Sequence, residues 1–270
     1  MKTPQQQYPE LAKAIGISEL YLKREDLHSY GSHKGRSIPF MIKQYTKQGI
    51  RDFVISSSGN AALAALRAVQ IHNTNNPQKG LSLKIFIGNH VDQHKLAVLK
   101  KEKNDANIFI EQVDRPKQSA FLLGKKEGVI FLRQSTDELA LVGYNELAQE
   151  LLKIPDLSAV FIPTSSGTTA QAVAETFLDT SILPQVNIVQ TIACHPIAQE
   201  FIKPSEEISD SQAGAIVDHI AHRKQAVINT ITQTNGTGLI PLEEEITQAI
   251  ELIKTHTDIT TITANGALGL

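Results

Sequence analysis

Tryptophan is absent from the 270 residues and cysteine appears once, at Cys194. A single thiol can form neither a disulfide within the chain nor a cysteine-based zinc site, and such a chain suits a reducing compartment, so a cytoplasmic location is expected. Aromatic residues make up only 5% of the sequence, few for the stacking surfaces by which proteins hold sugars or single-stranded bases. Neither sign of charge dominates: 26 basic residues oppose 28 acidic ones, for a net charge of -2. That balance argues against a broad electrostatic surface for nucleic acid or anionic lipid. No apolar run approaches the ~18 residues of a membrane span, and the polar start "MKTPQQQYPELAK" lacks the character of a secretory signal. The expected partner is a small molecule, not nucleic acid and not a membrane.

What is present is alternation. "DFVISSS" is a β-rich run, and "GNAALAALRAVQIHN" after it repeats Leu63, Leu66 and Val69 at helical spacing. "LKIFIGN" then precedes "DQHKLAVLKKEKND", and "NIFIEQV" precedes "PKQSAFLLGKKEG". A second block begins near "GYNELAQELLKIP", where "SAVFIPTSS" leads into "GTTAQAVAETFLD" and "QVNIVQTIA" into the helix-like "HPIAQEFIK". "PLEEEITQAIELIKTH" reads as a final helix whose acidic start complements the helix dipole. "HNTNNPQKG" reads as a surface loop. Strand runs alternating with helix runs predict an α/β protein with a largely parallel sheet.

Two junctions share a design in which a β run ends in small hydroxyl and glycine residues and a helix starts at once. They are "SSSGNAA", Ser56 to Ala62, and "PTSSGTTA", Pro163 to Ala170. A helix start exposes unpaired N–H groups and a partial positive charge, so each is a candidate anion cradle. Taken alone, each also reads as an ordinary capped helix. Neither contains the G-x-x-x-x-G-K-[ST] of a nucleotide phosphate loop nor the G-x-G-x-x-G of a dinucleotide site, which disfavours nucleotide enzymes. A third stretch, "YGSHKGRS", confines Lys34 between glycines, an unusual setting for a residue that ordinarily sits in water.

The order of these pieces resembles the fold-type II pyridoxal-phosphate enzymes: Lys34 in a G-S-x-K-x-R setting, then a strand ending in S-S-G-N, then a small-residue loop opening a helix. The resemblance runs from "TP" at Thr3 through "LYLKREDLHSYGSHKGRS", "SSSGN" and "PTSSGTT" to "TANGALGL". Threonine synthase looks closest, on "ALVGYNELAQEL", "VQTIACHPIA" and "TANG". The resemblance implies a two-domain α/β fold with twisted, mainly parallel sheets flanked by helices. It gives a large cofactor-phosphate-binding domain, residues 1–47 and 141–270, and a small mobile domain, residues 48–140, that binds the substrate carboxylate. The implied cofactor is pyridoxal 5′-phosphate, the substrate a small amino acid, and the assembly a homodimer.

By the same resemblance Lys34 forms a Schiff base with the cofactor and later acts as a base on the substrate α-carbon; an amine withdrawn from water near other cations is the more readily nucleophilic. Asn60 stands beside the cofactor ring oxygen, and Ser57, Ser58, Gly59 and Asn60 meet the substrate carboxylate. Ser165, Ser166, Gly167, Thr168 and Thr169 hold the cofactor phosphate, and Thr263 faces the ring nitrogen. The implied activity is threonine synthase-like, converting O-phosphohomoserine and water to threonine and phosphate. A threonine or serine dehydratase and a cysteine synthase-like enzyme share the same residues, and a non-catalytic binding protein on the same fold is a third reading. Three departures bear on the choice. Gly35 stands where many relatives have Asp, and Ala140 and Val142 stand where threonine synthases have an arginine and an acidic residue. Arg133, Arg223 and Lys224 are other cations to hand. His90 and His94, and His219 and His222, are spaced like ligand pairs but lack the glutamate of H-E-x-x-H, so they read as surface histidines and no metal is expected. Cys194 reads as a buried structural thiol.

Overall fold

The computed structural model describes residues 2–204 and 210–270. In chain order the elements are β1 (Gln5–Gln7), α1 (Pro9–Ile15), β2 (Tyr21–Lys23), α2 (Lys34–Lys47), β3 (Asp52–Ser56), α3 (Asn60–Asn75), β4 (Ser82–Gly88), α4 (Gln93–Glu102), β5 (Ile108–Val113) and α5 (Pro116–Leu123). There follow β6 (Val129–Phe131), α6 (Leu139–Val142), α7 (Asn145–Leu151), β7 (Ala159–Pro163), α8 (Thr168–Leu178), β8 (Gln185–Val189), α9 (Lys224–Gln233), β9 (Gly238–Leu239), α10 (Glu243–His256) and α11 (Ala264–Ala267). The chain divides into two compact units: one joins Thr3 to Arg24–Gly143, the other joins Pro4–Lys23 to Tyr144–Leu270.

The first unit is built on a parallel sheet of order β5-β4-β3-β6. Alternate residues of its central strands serve opposite faces. Phe53, Ile55, Leu83, Ile85 and Ile87 join Ile38 and Met41 of α2 and Leu66 and Val69 of α3 in one core. Val54 and Phe86 point the other way, to Ala120 of α5. Both faces are thus covered, which is why β3 reads as a continuous apolar run. The segment 24–47 packs here with residues 48–140, because Ile38, Met41 and Ile42 of α2 are core residues of this unit.

The second unit has a parallel sheet of order β7-β8-β9 and an antiparallel β1-β2 ribbon. Lys23 of the ribbon pairs with Glu150 of α7. Along α10, Ile246 faces a cluster with Val189, Cys194, Ala213 and Leu268. Ala249 and Ile253, further along, face Tyr8 and Leu11. The start of α10 is closed by the Leu242 N–H donating to Glu245 Oε2 at 2.7 Å, as its acidic first turn implied.

Three local expectations change. "HPIAQEFIK" is not an α-helix; only Ala198–Glu200 forms a 3-10 turn. Its Ile197 and Ala198 amides donate to Gln190 Oε1, each at 2.8 Å. "HNTNNPQKG" is partly helical, since α3 continues to Asn75. α2 was not visible in a stretch rich in Gly, Ser and Pro; burial of Arg36, Ile38, Met41 and Ile42 offsets that poor propensity.

Candidate functional site

In the first unit Lys34 is the first residue of α2 and is half-buried. Its N–H donates to Ser32 Oγ at 3.3 Å, and Gly31 before it adopts φ +84, a conformation glycine permits at little cost. Two residues on, Arg36 is buried and meets Glu25 through two bonds, Nη2 to Oε1 at 2.7 Å and Nε to Oε2 at 3.0 Å. Arg36 Nη2 also donates to Thr3 Oγ1 at 3.0 Å. The turn lies on α3, for a Cβ at Gly31 would stand 3.8 Å from Leu63 Cδ2. Burial, and then the charge of Lys34, push the His33 imidazole down to about 3. His33 is therefore neutral over the working range.

The "SSSGN" loop opens the same helix. Gly59 N–H donates to Ser57 Oγ at 3.2 Å, and Leu63 N–H returns to Gly59 O at 3.1 Å. Ser57, Ser58 and Gly59 are half-buried and Asn60 is exposed. A Cβ on Gly59 would meet nothing within 4 Å, so space above the loop is open. Ser58 borders a cleft of about 490 Å³ that also takes in Asn89, His90 and Lys95, at the carboxyl ends of parallel strands where ligands of open α/β sheets bind.

In the second unit "SSGTT" joins β7 to α8. Gly167 has φ +87, and a Cβ there would stand 2.4 Å from Val227 Cγ2. The first amide to bond back within α8 is that of Gln171, to Gly167 O at 2.9 Å; those of Thr168, Thr169 and Ala170 face out of the helix end. Ser166 Oγ and Thr168 Oγ1 lie 3.1 Å apart. Ser165 Oγ accepts the Val217 and Asp218 amides, both at 3.2 Å. Thr263 is exposed and caps α11, its Oγ1 accepting the Gly266 N–H at 3.3 Å. Next to it Asn265 Oδ1 accepts the Ala215 N–H at 2.9 Å. The strand-free segment 215–218 thus ties the "SSGTT" loop to the "TANG" turn.

A sequence profile for the family described as "Pyridoxal-phosphate dependent enzyme" matches residues 1–269. The chain belongs to that family. Among similar proteins, the L-serine dehydratase/L-threonine deaminase of Mus musculus is 31% identical over 152 residues, 56% of this chain and 44% of that protein. The threonine synthase of Methanocaldococcus jannaschii is 25% identical over 276 residues, 93% of this chain and 64% of that one. The chain thus matches less than two thirds of the length of either relative. Among solved structures, the processed form of threonine deaminase isoform 2 from Solanum lycopersicum superposes with a TM-score of 0.81 at 18% identity, over 100% of this chain and 72% of that one. Serine racemase from Dictyostelium discoideum gives 0.82 at 16%, over 100% and 84%. These two likenesses establish the fold.

For this member of the family the cofactor is pyridoxal 5′-phosphate. The chemistry of the donors fits that group. A half-buried amine at position 34 suits an aldehyde, and the α8 start combines outward amides, hydroxyls and a glycine that leaves room for an anion. Lys34 and Ser57 to Asn60 gather around α3 in one unit, and Ser165 to Thr169 and Thr263 gather around segment 215–218 in the other. Sequence reasoning missed Gln190, which is fully buried at the end of β8. Its Nε2 donates to Thr164 O at 3.2 Å and Ser165 O at 3.4 Å, while Oε1 accepts Ile197 and Ala198. The available signal was an amide closing an apolar strand, since a buried polar group needs partners.

Ala140 is fully buried in the core of the first unit, and Val142 is 47% exposed. Arg223 is buried and donates to Gln171 Oε1 at 3.3 Å, and Lys224 pairs with Glu200 at 2.6 Å. Cys194 is buried, and burial with the nearby Asp218 charge raises its thiol pKa, which makes it a poor nucleophile. His90, His94, His219 and His222 are exposed. Among the described residues no group of three or more His, Cys, Asp or Glu is placed to hold a metal ion, and no helix is long and apolar enough to cross a membrane.

Proposed function

We propose that the chain is a lyase that eliminates the hydroxyl of a small hydroxy amino acid, serine or threonine, giving the 2-oxo acid and ammonia. In this reading Lys34 carries the cofactor, the "SSGTT" loop from Ser165 to Thr169 receives its phosphate, Thr263 its ring nitrogen and Asn60 its ring oxygen. When bound, pyridoxal phosphate supplies an electron sink for negative charge arising at the substrate α-carbon. Ser57, Ser58 and Gly59 hold the substrate carboxylate with N–H and O–H donors at a helix start. Lys34 Nζ takes the α-proton and returns it to the departing β-hydroxyl, which leaves as water; the released enamine then takes up one water to give the 2-oxo acid and ammonia. Thr263 offers the ring nitrogen a neutral hydroxyl, which does not hold that nitrogen protonated as a carboxylate would.

The observation that carries the choice of leaving group is Ala140. At the position where threonine synthases have an arginine, this chain has a methyl side chain sealed in an apolar core, so no cation stands there for a substrate phosphate. The similarity to a serine/threonine dehydratase over 152 residues agrees with that reading. A threonine synthase-like reaction on O-phosphohomoserine is the second reading, favoured by the longer match to threonine synthase, 93% of this chain. That reading needs a different cation for the phosphate.

Reconstitution with pyridoxal phosphate tests the common part. The native chain should develop a visible absorption band that borohydride fixes onto Lys34, and Lys34→Ala should lose both. A native chain without any band would leave only the binding-protein reading. Product assays then separate the reactions: ammonia and 2-oxo acid from serine or threonine support dehydration, phosphate from O-phosphohomoserine supports the second reading, and consumption of sulfide with O-acetylserine would point to the cysteine synthase-like one.

A further inference from the structure

The turn that presents Lys34 is closed around a buried imidazole. His28 is 5% exposed, and its ring lies where a side chain on residue 35 would have to go. A Cβ at Gly35 would stand 2.4 Å from His28 Nδ1, 2.5 Å from Cε1 and 2.5 Å from Tyr30 Cβ. Glycine at 35, where many relatives have Asp by the resemblance, and histidine at 28 therefore share one volume. Two other contacts bind the same residue into the turn. His28 Nδ1 accepts the Tyr30 N–H at 3.2 Å. His28 O accepts the Gly31 N–H at 2.6 Å. The Tyr30 ring lies 5.7 Å from the imidazole, tilted by 33°. The far end of the turn is fixed by the Arg36–Glu25 pair, leaving His28 as its internal support.

We propose that His28 is a positioning residue for Lys34: its imidazole fills the turn from inside and holds the Tyr30 amide, so that the backbone delivers the Lys34 amine in one direction. The inference rests on the reading of Lys34 given above. Misplacing a reacting group by about 1 Å costs on the order of a hundred-fold in rate, so a turn with a single shape matters to chemistry beyond its share of stability. Sequence could not show this, because residues 28 and 35 are joined only by the volume they divide.

The test compares His28→Leu, which keeps bulk and loses the acceptor, with His28→Asn, whose Oδ1 can take the Tyr30 amide. In cofactor-free protein, trace acetylation read by peptide mass gives the reactivity of the Lys34 amine relative to the other lysines. In the loaded enzyme, kcat and KM for the amino acid are measured. For His28→Leu the expected result is a change of about five-fold or more in relative Lys34 labelling and a kcat lowered about ten-fold, with KM held within about two-fold. His28→Asn should keep both readouts within about two-fold of the native chain. Native-like labelling in His28→Leu, or equal losses in the two variants, would overturn the proposal. Circular dichroism melts accompany each variant, and if His28→Leu does not fold, His28→Phe takes its place with the same expectations. Failure of the Lys34 reading shows separately, as a borohydride-stable adduct that persists in Lys34→Ala, and the labelling comparison keeps its meaning because it needs no cofactor.

Discussion

At the scale of single residues, a buried ion pair anchors the turn that presents Lys34. Arg36 is 5% exposed and is neutralised by Glu25. Arg36→Met should destabilise the chain by roughly 3 kcal/mol, because Glu25 is left without its cation. Adding Glu25→Leu should recover much of that loss, so a urea midpoint unmoved by the single change would show the pair to be idle. His33 makes a prediction about pH. Its pKa falls from 6.5 to about 3 on folding, so between those values the unfolded chain binds a proton that the folded chain refuses. Stability contributed by the neutral ring is present above pH 6.5 and is lost as pH falls toward 3. The denaturation midpoint should decline across that window, and His33→Phe should flatten the slope; equal slopes would count against the burial of that imidazole.

Among the elements, α8 is the one whose exact start matters most. Gly167 combines φ +87 with a crowded site, where an added Cβ would stand 2.4 Å from Val227 Cγ2. Gly167→Ala should cost at least ~1 kcal/mol from the left-handed conformation alone. It should also weaken pyridoxal phosphate binding several-fold by shifting the loop. Titration of the visible band against cofactor concentration reads the second effect, and an unchanged affinity would remove the loop from phosphate binding. Gln190 supports the same loop from behind. Gln190→Leu strips four hydrogen bonds from backbone groups, three of them buried, and a buried one left unmet costs about 1 kcal/mol or more. The variant should melt well below the native chain. The strands and most helices of both sheets were legible because their residues alternate or recur with the period of the element. α2 was not, since Gly35, Ser37 and Pro39 are poor helix formers and the helix exists through the core that Ile38 and Met41 enter.

For the whole molecule, two units with separate cores hold the residues assigned to the cofactor. A ligand that binds only folded chain stabilises it by mass action. Pyridoxal phosphate at about 100 times its dissociation constant should add about 2.7 kcal/mol, seen as a rise in melting temperature that Lys34→Ala reduces. A melt indifferent to the cofactor would contradict these assignments. In the first unit α2 fills the core, so residues 24–47 cluster with 48–140.

The sequence by itself determined the α/β alternation, the two helix-opening loops rich in small residues, and the confinement of Lys34, since each is written in local spacing and composition. Only the tertiary structure decided that α2 exists, that Gln190 takes the Ile197 and Ala198 amides, and that His28 and Gly35 divide one volume. Those outcomes depend on groups distant along the chain competing for the same space or the same hydrogen bond, and no local pattern records such a competition.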